Sequence, residues 1–258
     1  VRRLYLLTAL WLLTLLLISR YALAATLQVA PVTLDLDSSQ RATAVYLTNS
    51  GDTPIHAQIR VYDWTQANGK DVLTPTDDVV SSPAMTALAP GQQQLVRIIV
   101  LQPGARPQEQ SYRLVIDELP SHLANAAGRN AVHFLLRYSI PVFIAGAHAT
   151  GSRESDLSCE QTDSPAAIQC YNAGDRHIRL SNLQTLTPEG QVVDTMKGLA
   201  GYVLPGQKYV FTLKHTPRRA LASLRVFLNE NRHASQISLG AASARPSGIA
   251  PADANGAR

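Results

Sequence analysis

The chain is poor in the residues that most chemistry needs. It holds two cysteines, Cys159 and Cys170, and only His177 lies near them. A structural zinc site takes four ligands, so this set is a poor one. The histidines at 56, 122, 133, 148, 177, 215 and 233 are scattered, and none pairs with another at metal-ligand spacing. There is no phosphate-cradling glycine loop, no nucleophile elbow and no metal-protease helix. The carboxylates that do adjoin are neighbours, Asp117-Glu118 and Asp77-Asp78. Neighbours in a strand point to opposite faces, so they do not form an acid/base couple. The pattern predicts no enzyme, no metal and no cofactor. After residue 24 only Trp64 represents tryptophan, which is too few for the clustered exposed aromatics of a carbohydrate-binding sandwich.

Excess charge is also missing once the first residues are set aside. Arg2 and Arg3 precede an apolar run, Leu4 to Ile18, and Ala22-Leu23-Ala24 fits the small-x-small cleavage rule. This is the pattern of a secretory signal peptide over residues 1–24, cleaved after Ala24. The apolar run is about 15 residues, short of the roughly 20 a spanning helix needs. The segment takes three arginines (2, 3 and 20) of the 23 basic residues and none of the 19 acids. The remainder is therefore 20 against 19, with no broad basic field for nucleic acid or an anionic membrane. Any important cation must act singly. Export to an oxidising compartment makes a Cys159–Cys170 disulfide the expectation, worth roughly 3 kcal/mol at most for so short a loop.

What fills the rest is strand pattern. Ile55, Ala57, Ile59 and Val61 alternate with His56, Gln58, Arg60 and Tyr62. Tyr112, Leu114 and Ile116 alternate with Arg113, Val115 and Asp117. Short period-two runs between Gly, Pro, Asn and Asp are the mark of β-sandwiches. Beyond residue 24 no long helix is predicted; His122 to Ala127 could form a helical turn. Two punctuation marks occur twice in the same order. Asn49-Ser50-Gly51-Asp52 recurs as Asn172-Ala173-Gly174-Asp175, 123 residues on, and Leu88-Ala89-Pro90-Gly91-Gln92 recurs as Val203-Leu204-Pro205-Gly206-Gln207, 115 residues on. The near-constant offset predicts one domain plan used twice, as does the length, since one immunoglobulin-like domain takes about 100 residues. The expected division is 25–146 and 147–240, with a small-residue linker near Ala145–Arg153. The tail 241–258, rich in Ala, Ser, Pro and Gly, is expected to be disordered.

The longest strand-like run is Ala131 to Ile144, AVHFLLRYSIPVFI. Val132, Phe134, Leu136, Tyr138, Ile140 and Val142 share one face of it. Two readings are open: a central strand burying this face, or an edge strand meant to pair with another chain by backbone hydrogen bonds and side-chain pockets. Pro141 favours an edge, because it cannot donate to a ladder.

SYRLVIDELP (Ser111–Pro120), a polar loop and LLRYSIPVF (Leu135–Phe143) together resemble the last two strands of the first domain of PapD-like periplasmic pilus chaperones. NSGDTP (Asn49–Pro54) and LAPGQQQLVRI (Leu88–Ile98) fit the same domain. The form LRYSIPVF is more similar to the archaic, spore-coat-U-type branch than to the classical one. The resemblance covers the first domain closely and the second loosely. It implies an all-β boomerang of two immunoglobulin-like sandwiches. Such a chaperone lends a strand to an incomplete pilus subunit and hands the subunit to an outer-membrane usher, without nucleotide. On that reading Val132, Phe134, Leu136, Tyr138 and Ile140 are the donor residues. The alternative is a structural pilus subunit or adhesin; a subunit is a single incomplete sandwich with an N-terminal donor extension, whereas here the donor-like strand is internal.

The resemblance also breaks down at one place. Classical members grip the subunit's terminal carboxylate with an arginine on the first strand and a lysine on the last. Leu27 to Leu36 contains neither Lys nor Arg, and Pro141 stands at the lysine position. Arg137, with Arg97 as helper, is the expected replacement.

Overall fold

The computed structural model describes residues 27–102, 106–120, 134–147, 151–164, 166–217 and 219–240. The expected signal peptide, the helical turn at 122–127, Val132 and the tail 241–258 lie outside the described residues. Among the described residues no helix is long and apolar enough to cross a membrane.

Two β-sandwiches follow one another, as the pattern predicts. The first uses β1 (Leu27–Ala30), β2 (Leu34–Leu36), β3 (Ala42–Asn49), β4 (Ile55–Ala67), β5 (Lys70–Pro75), β6 (Val79–Ser82), β7 (Met85–Leu88), β8 (Gln93–Val100), β9 (Gln110–Leu119) and β10 (Arg137–Ile144). One sheet runs β1-β3-β8-β6; the other runs β2-β10-β9-β4-β5, with β7 also on β4. The second sandwich uses β11 (Leu157–Gln161), β12 (Ala167–Asn172), β13 (Ile178–Leu186), β14 (Val192–Val203), β15 (Lys208–Thr212), β16 (Ser223–Leu228) and β17 (Ser235–Gly240), in the order β14-β13-β16-β17-β11-β12-β15. Each has its own core: Leu47, Ile59, Ile98 and Leu114 are among the buried residues of the first, and Ile168, Leu180, Phe211 and Val226 of the second. Cys159 and Cys170 face each other across β11 and β12 and form the disulfide.

The repeated punctuation performs the same task in both sandwiches. Asn49 is fully buried at the end of β3. Its Nδ2 donates to Thr53 O at 2.8 Å and Leu88 O at 3.0 Å, and its Oδ1 accepts from Gly51 N–H at 2.9 Å. Asn172, fully buried at the end of β12, donates to Arg176 O at 2.7 Å and Val203 O at 2.9 Å and accepts from Gly174 N–H at 2.9 Å. The backbones repeat too: Gly91 N–H donates to Asn49 O, and Gly206 N–H donates to Asn172 O, both at 2.9 Å. These two glycines have φ of +73° and +67°, the left-handed turn conformation that a side chain resists. In each sandwich the buried asparagine ties its own loop to the carbonyl that leads into the Pro-Gly turn, so the two marks occur together.

Two expectations change. The single first strand, Leu27 to Leu36, is two strands in different sheets. Pro31 has no N–H to donate and interrupts the ladder, and the chain crosses from β3 to β10. Within the long run Ala131–Ile144, the strand is Arg137–Ile144, and the described residues 134–136 before it are not part of it. Just before it, Leu136 O accepts from Glu118 N–H at 2.9 Å, but Leu136 N–H turns to the Glu118 carboxylate at 3.2 Å instead of continuing the ladder.

Candidate functional site: an open strand edge and a cleft cation

β10 has two different halves. Val142–Ile144 lies between β9 and β2, paired antiparallel to Gln110–Tyr112 and parallel to Leu34–Leu36. Among the described residues, Arg137–Pro141 pairs with β9 alone. The other side of that half is an open edge, and Pro141 stands where double pairing begins. The edge and central readings of this strand therefore each describe one half of it.

Burial follows the same division. Along the donor-like face, Phe134 is 83 % exposed, Leu136 and Tyr138 are partly buried against the core, and Ile140 is 3 % exposed inside it. Ile140 cannot leave the sandwich for a partner, because its own domain already covers it; the expected donor role ends before it. Tyr138 is fixed by its hydroxyl, which donates to Leu27 O on β1. It spans the gap between the two sheet edges. Phe134, beside the half-exposed Leu135, is the most exposed of the large hydrophobic side chains among the described residues.

The two expected anchor arginines do not come together. Arg97 lies on β8, and the buried neighbours Val96 and Ile98 point it out of the opposite sheet. Arg137 points outward from β10, on the other side of the sandwich. One carboxylate cannot reach both, so Arg97 is not a helper to Arg137. Arg137 is also already engaged. Its Nε and Arg60 Nη2 both donate to the buried Asp117 carboxylate, the latter at 2.5 Å. Burial pushes the Asp117 carboxyl up, but the hydrogen bonds from Arg137 and Arg60 outweigh it and hold its pKa below the usual carboxylate value.

A third arginine occupies the position that the sequence reading left empty. Arg113 on β9 is in register with Pro141 on β10 and Tyr62 on β4. Its guanidinium lies 3.6 Å above the Trp64 ring centroid and 5.5 Å from that of Tyr202, in the crease between the sandwiches. Among the described residues it forms no ion pair. Burial lowers its pKa from the ordinary guanidinium value. Beneath it the Trp64 indole N–H is buried and has no hydrogen-bond partner among the described residues. A stacked, partly desolvated cation with no ion-pair partner is suited to receive an anion. The alternation of Arg113 with Tyr112 and Leu114 is visible in the sequence, but the cross-strand register and the fold of the second domain over Trp64 are not.

The crease is firmly built. Trp64, Phe143, Tyr202 and Leu204 form a third buried cluster shared by both sandwiches. The His177 ring stacks on Phe143 with centroids 3.5 Å apart. Glu109, whose side chain is fully buried, accepts from Arg176 Nε at 3.3 Å and from His177 N–H at 2.9 Å. Gly146 packs where a Cβ would lie 2.5 Å from Pro107 O.

The family model described as "Pili and flagellar-assembly chaperone, PapD N-terminal domain" matches residues 26–148. The first sandwich belongs to the PapD-like pilus chaperones as their N-terminal domain. No curated protein sequence matches the chain. Among solved structures, the chain is similar to a chain of the CsuC–CsuE chaperone–tip adhesion subunit pre-assembly complex from archaic chaperone-usher Csu pili of Acinetobacter baumannii. Identity there is 24 % and TM-score 0.63, covering 84 % of this chain and 99 % of that one. The Pseudomonas aeruginosa CupB2 chaperone matches with 18 % identity and TM-score 0.57, over 82 % and 100 % of the chains. The Salmonella enterica SafA pilin–SafB chaperone complex matches with 14 % identity and TM-score 0.59, over 84 % and 97 %. At these identities the likeness is one of fold. The fold carries over, and the site must be argued from this chain's own residues.

Proposed function

We propose that this protein is a periplasmic chaperone that captures incomplete pilus subunits by donor-strand complementation and delivers them to an outer-membrane usher. The observation that carries the reading is the half-paired β10. Over Arg137–Pro141 it offers a free backbone edge, and its apolar row continues outward through Leu136 to Phe134. An open edge with an uncovered apolar row is an aggregation hazard unless a partner completes it. A subunit lacking one strand supplies the complementary groove. Val132, outside the described residues, would continue the row. The work is binding and release, with no covalent step, and none of the residues at the site is arranged for catalysis. The likeness in form to the archaic branch extends to this chaperone as part of the same proposal.

The terminal carboxylate of the subunit is best received by Arg113. It is half-buried, unpaired and stacked on aromatic rings, whereas Arg137 already shares Asp117 with Arg60. Arg137 then serves to hold the start of β10 flat against β9. A pilus subunit or adhesin would have its unpaired strand or groove within a single sandwich; here the open edge belongs to the first of two complete sandwiches.

The test is co-expression in the periplasm with a pilus subunit lacking its last strand. The subunit should co-purify with this chaperone at equal stoichiometry and should aggregate without it. A subunit that stays equally soluble and monomeric without the chaperone would overturn the reading.

A further inference from the structure

The β4–β5 hairpin reaches beyond its own sandwich. Gln66, near its tip, is buried, and its amide is fully used. Nε2 donates to Tyr202 O at 2.9 Å and to Asp71 Oδ1 at 3.0 Å, and Oε1 accepts from Leu204 N–H at 3.0 Å. The backbone N–H of the same residue donates to the Gln207 side chain. At the tip, Val210 N–H donates to Gly69 O at 2.9 Å. Gly69 has φ of +74°, and a Cβ there would overlap Val210 Cγ2. One domain thus inserts a polar side chain and a glycine into fitted places on the other.

The position of these contacts matters more than their number. β5 and β15 are terminal strands of their sheets. The Gly69–Val210 hydrogen bond sets the hairpin turn against the edge strand β15 of the other domain and so covers part of that edge. Glu109, with Arg176 and His177, holds the domains together just before β9 and just before β13. The Trp64–Phe143–Tyr202–Leu204 cluster lies at the same junction. A single apolar contact patch would act as a pivot. Directional hydrogen bonds at separate places on the junction remove that rotation.

We propose that the β4–β5 hairpin is a brace that locks the second sandwich onto the first, so the crease at Arg113 has its final shape before any partner arrives. Gln66 and Gly69 are positioning residues: they touch no partner and act through the angle between the domains. The brace stands whether or not Arg113 binds a carboxylate. Only its consequence for subunit affinity rests on the proposed function.

The experiment uses the full secreted chain and reads domain orientation directly. Residual dipolar couplings are measured for wild type and for Gln66→Ala/Gly69→Ala, with circular dichroism to monitor strand content and calorimetry to follow unfolding. Wild type is expected to show one alignment tensor for both domains and one unfolding transition. The double variant is expected to keep its strand content, show two distinct tensors and split the transition in two. A double variant that retains one tensor and one transition overturns the proposal. If that variant fails to fold, Gln207→Ala/Val210→Gly removes the side chain that accepts from Gln66 N–H and the one that packs on Gly69, and it is judged by the same two criteria. Subunit capture is measured alongside. Decoupled domains with unchanged capture would leave the brace standing and count against the anchor in the crease.

Discussion

Phe134 and Ile140 lie on the same alternating face of one short segment, yet their alanine substitutions should have opposite consequences. Phe134 is 83 % exposed in the free chaperone, and Ile140 is 3 % exposed within the first core. Phe134→Ala removes almost nothing that the free protein buries, so stability should change by no more than about 0.5 kcal/mol. In a complex, an aromatic anchor that becomes buried in a groove is worth about 2–4 kcal/mol on truncation, or roughly 30- to 1,000-fold in affinity. Ile140→Ala leaves a cavity where the ladder is about to become doubly paired, and large-to-small core changes of this kind cost about 2–5 kcal/mol of stability. The assay has two arms. Urea titration of each free variant gives the stability change, and competition for a refolding subunit gives the affinity change. The expected pattern is a stable Phe134→Ala that no longer captures subunit and a destabilised Ile140→Ala. A Phe134→Ala variant that binds within about twofold of wild type, or that is destabilised like Ile140→Ala, would refute the division of β10 into a donor half and a core half.

Arg113→Ala should weaken subunit capture by about 3–5 kcal/mol, at least a hundredfold, and the loss should largely vanish when the subunit's terminal carboxylate is amidated; Arg97→Ala should bind within about twofold of wild type in the same titration. Asn49→Ala and Asn172→Ala each strand one buried and one part-buried carbonyl and should lower unfolding stability by similar amounts, about 2 kcal/mol, measured by denaturant titration; a cost under about 0.5 kcal/mol at either site would contradict the shared role. Asp117 has its folded pKa held below the unfolded value of about 3.9, so its contribution is complete above that pH and is lost as pH falls through the folded pKa. The stability gap between wild type and Asp117→Asn should therefore be level near neutrality and shrink only in acid. It should be modest, because both arginine partners are partly exposed; a gap that changes between pH 6 and 8 would assign it to another group.

Period-two alternation was enough to determine that this chain is all-β, because side chains on a strand must alternate between core and solvent whatever the fold around them. The doubled Asn and Pro-Gly marks determined that one plan is used twice, because the turn conformation and the buried amide each tie a residue type to a place in the chain. The cysteine pair likewise pointed to its disulfide, which β11 and β12 form by bringing Cys159 and Cys170 face to face. Other features depended on contacts between residues far apart in sequence. Nothing local distinguishes Ile140 from Phe134; the difference is that β2 and the core reach one end of β10 and not the other. Nothing local separates Arg137 from Arg113 as cations either. Register places Asp117 beside the first, and the packing of the second sandwich places Trp64 and Tyr202 around the second. Alternation reveals which residues share a face, but only tertiary pairing decides what that face meets, and the charge and burial of a site depend on what it meets.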